Sequence, residues 1–398
     1  MKYRRQLAEA AAWIAEFEDR DLPEDVQEMA RLQVVDTLGA ICGGARSEVG
    51  RRIRQGLERR ATPGPCTVLP DGARWSVSDT VYLHSALANA LELDNFVLSG
   101  HFGQSAVAVA LALGELLGAT LQEVLTAQIV GLEVGTRLGA YISAGPHHGQ
   151  MRAYAHRVAS ASCAARLLRL PREGVERALA IALAAPEFPM VPAAFSPDTK
   201  ANLSSAPTVE GLRAAFLAEG GMDAATEILD HPLGLVGMFT YMSELPRIWE
   251  RLGESWYIHS LSTKTQPTCA YAQGAVTAAV ELHEDLPCEP AAIERVVVRV
   301  PMTAVVMEAF SDPHQGGGVT PVNTHFSTRR SVAAALQFGR LTSSLFDASF
   351  GGKAEAIQSL ADRIELRHDW GMTVDLIRGV DAGLREAGRP GVYGMGQT

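Results

Sequence analysis

The chain has 398 residues, of which 35 are Lys or Arg and 45 are Asp or Glu, so its formal net charge is −10. This length predicts two or three domains, and an acidic chain without a long basic run is a poor candidate for binding nucleic acid or an anionic membrane surface. We recognise no signal peptide and no apolar run long enough to span a bilayer, and the five cysteines include no CxxC pair. These features predict a cytoplasmic protein with no nucleic-acid or membrane partner and no structural zinc site.

The first 250 residues have a helical pattern almost throughout. Apolar residues recur at three- and four-residue steps over 26–41, and we expect Gly43-Gly44 to end that helix. Thr120 and Glu123 form a capping-box pattern at the start of another helix. Residues 66–75 are the exception, because a Pro-Asp-Gly turn separates two β-prone pieces as in a hairpin. Further alanine-rich helices are predicted over 79–91, 104–117, 158–169, 172–184 and 207–219.

Beyond residue 255 the pattern changes. Residues 293–300 are rich in β-branched side chains and residues 363–367 alternate at the strand period, so both are predicted strands. Helices are predicted over 328–338 and 372–387. We therefore predict a mainly α-helical fold that combines a large all-helical domain with a smaller α+β domain. The helical domain is predicted over residues 1–255, completed by residues 370–398, and the α+β domain over residues 256–369.

Lysine is rare, with four lysines beside 31 arginines. Lys200 and Lys264 each follow a threonine at the edge of an apolar segment. Where arginine has replaced lysine generally, a retained lysine suggests that a compact ammonium group is needed. These two lysines are therefore candidate functional cations, and the alternative is that both are solvated loop residues.

A second candidate cluster follows the predicted helix that ends near residue 91. Glu92, Asp94 and Asn95 are followed at short distance by His101. A carboxylate and an imidazole at a helix exit can share one proton-transfer site, because burial can bring their pKa values toward neutrality. The alternative is a helix C-terminus with solvated acids.

A third cluster comprises His147-His148, Arg152 and His156. Arg152 could bind a substrate carboxylate through two parallel hydrogen bonds. A metal site is disfavoured, because adjacent histidine side chains diverge on a helix and no HExxH or paired-cysteine spacing accompanies them. The chain also contains no GxSxG or GxxxxGK[ST] motif, which disfavours a serine hydrolase and a phosphate-binding loop.

Several segments occur together in an order that is typical of one family. They are Val35–Gly39, Ala90–Asn95 with His101, Gly131–Gly135, Asp198–Lys200, Lys264 with Pro267 and Cys269, and Phe326-Ser327. In this order, from about residue 25 to 368, the chain resembles the MmgE/PrpD family, which includes 2-methylcitrate dehydratase and cis-aconitate decarboxylase. The family motif usually has three aspartates followed by threonine, whereas here Glu92, Asp94 and Asn95 precede Phe96.

The resemblance implies a lyase that needs no cofactor or metal, forms a homodimer and acts on a small di- or tricarboxylate by proton transfer α to a carboxylate. It implies His101, Asp94, Lys200 and Lys264 as catalytic residues. The substrate-binding residues that it implies are Glu92, Asn95, His148, Arg152, His156 and Cys269. Two alternatives remain open, an epimerase or isomerase of a related carboxylate in a biosynthetic pathway and a catalytically silent binding protein of the same fold.

Overall fold

The computed structural model describes residues 6–98, 100–141, 153–195, 198–240, 248–311 and 318–386. Helices dominate these ranges, as predicted. The helices of the first part are α1 (Gln6–Glu16), α2 (Glu24–Arg46), α3 (Glu48–Glu58), α4 (Val77–Asn89), α5 (Gly103–Leu117), α6 (Leu121–Tyr141), α7 (Ala153–Leu167), α8 (Arg172–Leu183), α9 (Pro192–Phe195), α10 (Asn202–Glu219) and α11 (Leu235–Phe239). They are followed by α12 (Gln273–Glu284), α13 (Met302–Ser311), α14 (Pro321–Phe326), α15 (Thr328–Phe338), α16 (Phe350–Ala361) and α17 (Trp370–Glu386).

The strands in the described part of the chain form three two-stranded sheets. β1 (Pro63–Val68) and β2 (Ala73–Trp75) form the predicted antiparallel hairpin. Short strands β3 (Phe96–Val97) and β4 (Leu261–Ser262) pair antiparallel, and β5 (Val296–Val300) pairs parallel with β6 (Ile364–His368). The mainly helical fold with a smaller α+β part is thus confirmed.

The prediction that Gly43-Gly44 end a helix was wrong, because α2 continues to Arg46. The backbone of Gly44 packs directly on α4, and a Cβ atom at this position would lie 2.0 Å from the carbonyl oxygen of Leu87. The glycine therefore serves close helix packing and not helix termination. The helix ends at Arg46, and the next residue, Ser47, caps α3 because its hydroxyl accepts a hydrogen bond from Gly50 N at 3.0 Å.

The core of the first part surrounds α5, which is buried along nearly its whole length. Helices α4, α6, α7 and α10 pack against it, and α7, α8 and α10 pack on one another. Small side chains allow this close packing, since a Cβ atom on Gly131 of α6 would lie 2.6 Å from the carbonyl oxygen of Ala159 on α7. The first turn of α5 is thereby held in place by the centre of the helical core.

A second hydrophobic cluster lies in the C-terminal part, where α12, α15 and α16 pack beside β5 and β6. Helix α17 is joined to this part at its start, because Met302 N donates to Thr373 Oγ1 at 2.9 Å. It also contacts the turn at residues 257–260. The domain boundary at residue 255, and completion of the helical domain by residues 370–398, stay predictions. In the described ranges, no helix combines the length and apolar character that spanning a membrane requires.

Candidate active site

The turn that follows α4 carries the acidic residues of the second candidate cluster. Glu92 has a φ of 55°, in the left-handed region that non-glycine residues rarely adopt. Its carbonyl oxygen accepts a hydrogen bond from Lys264 Nζ at 2.9 Å. The lysine side chain therefore holds the turn in this conformation from outside its own segment.

The side chain of Glu92 lies between the two lysines that the sequence singled out. Glu92 Oε2 is 2.5 Å from Lys200 Nζ, and Glu92 Oε1 is 3.0 Å from Lys264 Nζ. Lys200 Nζ also donates to the carbonyl oxygen of Asn89 at 2.5 Å. All three charged side chains are almost completely buried. The structure therefore brings the two candidate cations together on one carboxylate.

The electrostatic environment keeps these groups charged. Burial by itself would raise the pKa of Glu92, but the ammonium groups of Lys200 and Lys264 outweigh burial and hold that pKa well below its ordinary value. Burial would likewise lower the pKa of Lys264, but Glu92 and Asp94 raise it above its usual range. Glu92 and Lys264 are accordingly both ionised near neutral pH.

Asp94 and His101 form the second half of the cluster. His101 Nδ1 lies 2.9 Å from Asp94 Oδ2, although the two groups are not aligned for a hydrogen bond. Asn89 Nδ2 donates to the same oxygen at 3.3 Å, and Lys264 Nζ lies 3.8 Å from Asp94 Oδ1. Burial raises the pKa of Asp94, but Lys264 and His101 lower it further than burial raises it, so this carboxylate is ionised. The His101 side chain is 12% exposed, compared with 2% for Asp94.

Asn95 is held away from the two lysines. Its Nδ2 donates to Asp36 Oδ2 at 2.8 Å and to Thr37 Oγ1 at 3.1 Å, and its Oδ1 accepts from Gln33 Nε2 at 2.9 Å. These contacts attach the turn to α2. A role of Asn95 in binding substrate stays a prediction that these contacts do not support.

Cys269 is buried close to the cluster. A thiolate at Cys269 would raise the pKa of Lys264, which means that the sulfur lies close enough to the Lys264 ammonium for an electrostatic interaction. Tyr271, two residues on, donates to the carbonyl oxygen of Phe326 at 2.7 Å. Tyr271 and Phe96 line an apolar cleft of about 1160 Å³, and the Phe96 ring lies 5.9 Å from that of His101. The cleft thus borders the cluster on the side of His101 and Cys269.

The third candidate cluster is only partly described. His148 and Arg152 lie outside the described residues. His156 is buried on α7, where its Nδ1 lies 2.7 Å from Ser105 Oγ in the first turn of α5. Its ring also packs at 5.0 Å from that of Phe102. His156 therefore lies beside the start of α5, and its contact with a substrate stays a prediction.

Sequence reasoning missed two polar side chains, His325 and Gln104. His325 ends α14, and its Nδ1 lies 2.5 Å from the carbonyl oxygen of Pro267 while its buried Nε2 has no partner. Burial and the nearby Lys200 ammonium lower the pKa of His325 to about 3. A neutral imidazole that donates through Nδ1 carries a lone pair on Nε2. Two sequence positions could have indicated these residues as site candidates. His325 directly precedes the family segment Phe326-Ser327, and Gln104 follows His101 by three residues.

The cluster has the groups that proton transfer requires. It offers a partly exposed imidazole beside an ionised carboxylate, together with two buried ammonium groups. Lys200 has hydrogen-bond acceptors for two of its three N–H donors. Among the described residues, no three His, Cys, Asp or Glu side chains converge in a way that could hold a metal ion.

Comparison with known proteins matches the chain to one protein family. The MmgE/PrpD N-terminal domain matches residues 8–246, and the MmgE/PrpD C-terminal domain matches residues 267–379. A cis-aconitate decarboxylase of Aspergillus terreus is 27% identical over 302 residues, which is 70% of this chain and 60% of that protein. A cis-aconitate decarboxylase-like protein of Aspergillus oryzae is 24% identical over 306 residues, 70% of this chain and 62% of that protein.

The chain thus spans about three fifths of the length of these curated relatives. The two domain matches, in contrast, cover most of the chain from residue 8 to 379 and follow each other without overlap. They include every described residue of the buried cluster except Lys264, which lies between the two matched ranges. This chain belongs to the MmgE/PrpD family.

Proposed function

We propose that the chain is a cofactor-independent lyase, a dehydratase or decarboxylase, that acts on a small di- or tricarboxylate. The observation that supports this most is the convergence of His101, Asp94, Lys200 and Lys264 around Glu92. The similarity to cis-aconitate decarboxylases supports the same class of reaction. As the family resemblance implies, we also propose a homodimer.

In the proposed reaction, His101 removes or delivers the proton α to a substrate carboxylate. The ionised Asp94 stabilises the imidazolium that forms when His101 accepts a proton. Removing this proton places negative charge on the substrate carboxylate, and fixed positive groups stabilise that charge more in the transition state than in the ground state. The third N–H of Lys200 and the ammonium of Lys264 supply such groups.

Incubation of the purified protein with 2-methylcitrate, citrate and cis-aconitate tests this proposal, with loss of substrate followed by chromatography and decarboxylation by released CO2. We expect His101→Gln to lower kcat/KM by about 10²–10⁴, because it removes the proton-transfer group. Lys264→Met should also lower it. Lys353→Met is the matched control, because this lysine contacts Leu345 and Asp347 far from the cluster in sequence and is partly exposed.

Full turnover by His101→Gln, or equal losses in Lys353→Met and Lys264→Met, would contradict the assignment of the site. Exchange of solvent deuterium into a substrate that is not otherwise consumed would identify an epimerase or isomerase instead. Binding of a carboxylate without any exchange or product would identify a binding protein.

A further inference from the structure

Buried polar atoms without a hydrogen-bond partner gather near the start of α5. They are Asn89 Oδ1, Asp94 Oδ1 and both amide atoms of Gln104, and His101 Nδ1 close by has only its poorly aligned contact with Asp94 Oδ2. Buried polar groups in folded proteins are almost always paired, so each such atom calls for an explanation. Several of them in one place indicate a site that a polar ligand or ordered water fills.

Helix geometry gives the direction in which Gln104 projects. Gly103 faces Asn95, because a Cβ atom there would lie 2.4 Å from Asn95 Oδ1. Ser105 faces α10, because its Oγ lies 2.6 Å from Thr208 Oγ1. Successive residues of an α-helix are rotated by about 100°, so Gln104 projects between these two directions. Helix α4, which ends at Asn89, is one of the helices that pack on α5.

The two lysines of the cluster face the two carboxylates of Glu92 and Asp94, so the four charges sum to zero and a second substrate carboxylate needs a further positive partner. The start of α5 is a candidate, because it is not capped by a side chain. Phe102 at the N-cap position of α5 provides no side-chain cap. The first N–H groups of a helix have no partner within the helix and carry partial positive charge, which favours an anion.

We propose that the start of α5 and the side-chain amide of Gln104 bind a carboxylate group of the substrate. This inference rests on the proposed function and adds a binding residue to it. Gln104 Nε2 donates one hydrogen bond to the carboxylate, and the backbone N–H groups of Gly103 and Gln104 donate others, since those of Ser105 and Ala106 already donate to the carbonyl oxygen of Phe102. This carboxylate is thereby held beside His101, and it is a different one from the carboxylate that Lys200 and Lys264 stabilise in the proposed reaction. Gln104 accordingly favours substrates that carry a second carboxylate over those that carry only one.

Binding of tricarballylate, a saturated tricarboxylate without a leaving hydroxyl group, tests this inference separately from turnover. Isothermal titration calorimetry should show that the wild-type protein binds it, and Gln104→Leu should raise Kd at least about tenfold, because a hydrogen bond to a charged group is lost. Gln6→Leu is the matched control. It also removes a buried glutamine with an unpaired oxygen, but in α1. Its Kd should equal that of the wild type.

Gln104→Met provides a second variant that nearly keeps the length of the side chain. Methionine is a good helix former and removes two buried polar atoms that lack partners, so this variant should fold at least as well as the wild type. It should raise Kd for tricarballylate at least about tenfold, because the amide donor is lost. With a substrate that turns over, Gln104→Leu should raise KM by a larger factor than it lowers kcat.

An unchanged Kd in both Gln104 variants overturns the inference, and so does the absence of carboxylate binding by the wild-type protein. The first result leaves the proposed lyase function standing if turnover is observed. Conversely, Gln104-dependent binding of tricarballylate without turnover of any tested acid supports the inference and refutes the lyase function.

Discussion

The substitution Glu92→Gln tests the buried ion pairs that hold the site together. At an effective dielectric constant of about 20, a pair of unit charges at the observed Glu92–lysine distances attracts by roughly 5–7 kcal/mol, and the cost of burying the charges offsets part of this. Glutamine keeps the volume and one acceptor oxygen but removes the charge, which leaves Lys200 without a carboxylate partner. We expect the free energy of unfolding at pH 7 to fall by about 3–5 kcal/mol.

Urea unfolding followed by far-UV circular dichroism measures this change. Glu210→Gln is the control, because its partner Arg213 is 58% exposed and loss of an exposed pair costs at most about 1 kcal/mol. Since the fold lowers the pKa of Glu92, the stabilisation is present above about pH 4.3 and is lost as the pH falls below it. The double variant Glu92→Gln/Lys200→Met should lose less stability than the sum of the single variants. A loss below about 1 kcal/mol for Glu92→Gln, or additive losses, would refute the reasoning.

Substitutions at His325 and at two glycines of α2 test other parts of the fold. His325 has a pKa of about 3 in the fold, so the unfolded chain binds an extra proton between pH 3 and about 6.5, and this contribution to stability is lost as the pH falls through that range. His325→Asn keeps a donor for the Pro267 carbonyl and should reduce the slope of stability against pH there; an unchanged slope contradicts the assignment. Gly44→Ala should destabilise the protein by about 1–3 kcal/mol or more through its clash with Leu87, measured by urea unfolding. Gly39→Ala in the same helix meets nothing within 4 Å and should stabilise by roughly 0.5–1 kcal/mol, so equal effects of the two variants would refute this account.

Periodicity predicted many of the helices because their apolar faces are regular, but it could not place every helix end. The predicted helix over 207–219 begins at Asn202, and Pro207 lies inside it. Proline is expected near a helix start, which shifted the prediction toward the C-terminus. The hydroxyl of Thr208 bonds the carbonyl oxygen of Ser204 at 2.7 Å, so the turn around the proline keeps a hydrogen bond that the sequence pattern does not reveal.

The sequence predicted those site residues whose type is rare in this chain. It could not predict the residues whose place in the site depends on contacts between distant segments. Lys200 and Lys264 stood out because lysine is scarce, and they meet on Glu92 as a pair. Asn95, in contrast, belongs to the same short motif, but its amide faces α2. His325 lies far from the cluster in sequence, and only the packing of α14 beside residue 267 brings it near the lysines.

The contact between Lys264 and Glu92 has a consequence for how the chain unfolds. Lys264 lies after residue 255, where the sequence pattern changes from helical to mixed helix and strand, but its ammonium donates a hydrogen bond to Glu92 in the helical part. Strand β4, just before Lys264, also pairs with β3, which follows Glu92 closely in the sequence. The segment that joins the two family regions is therefore built into the helical part and is not a free linker. Separating the two parts would break the buried ion pair and a strand pair at once, which couples their unfolding into one cooperative event.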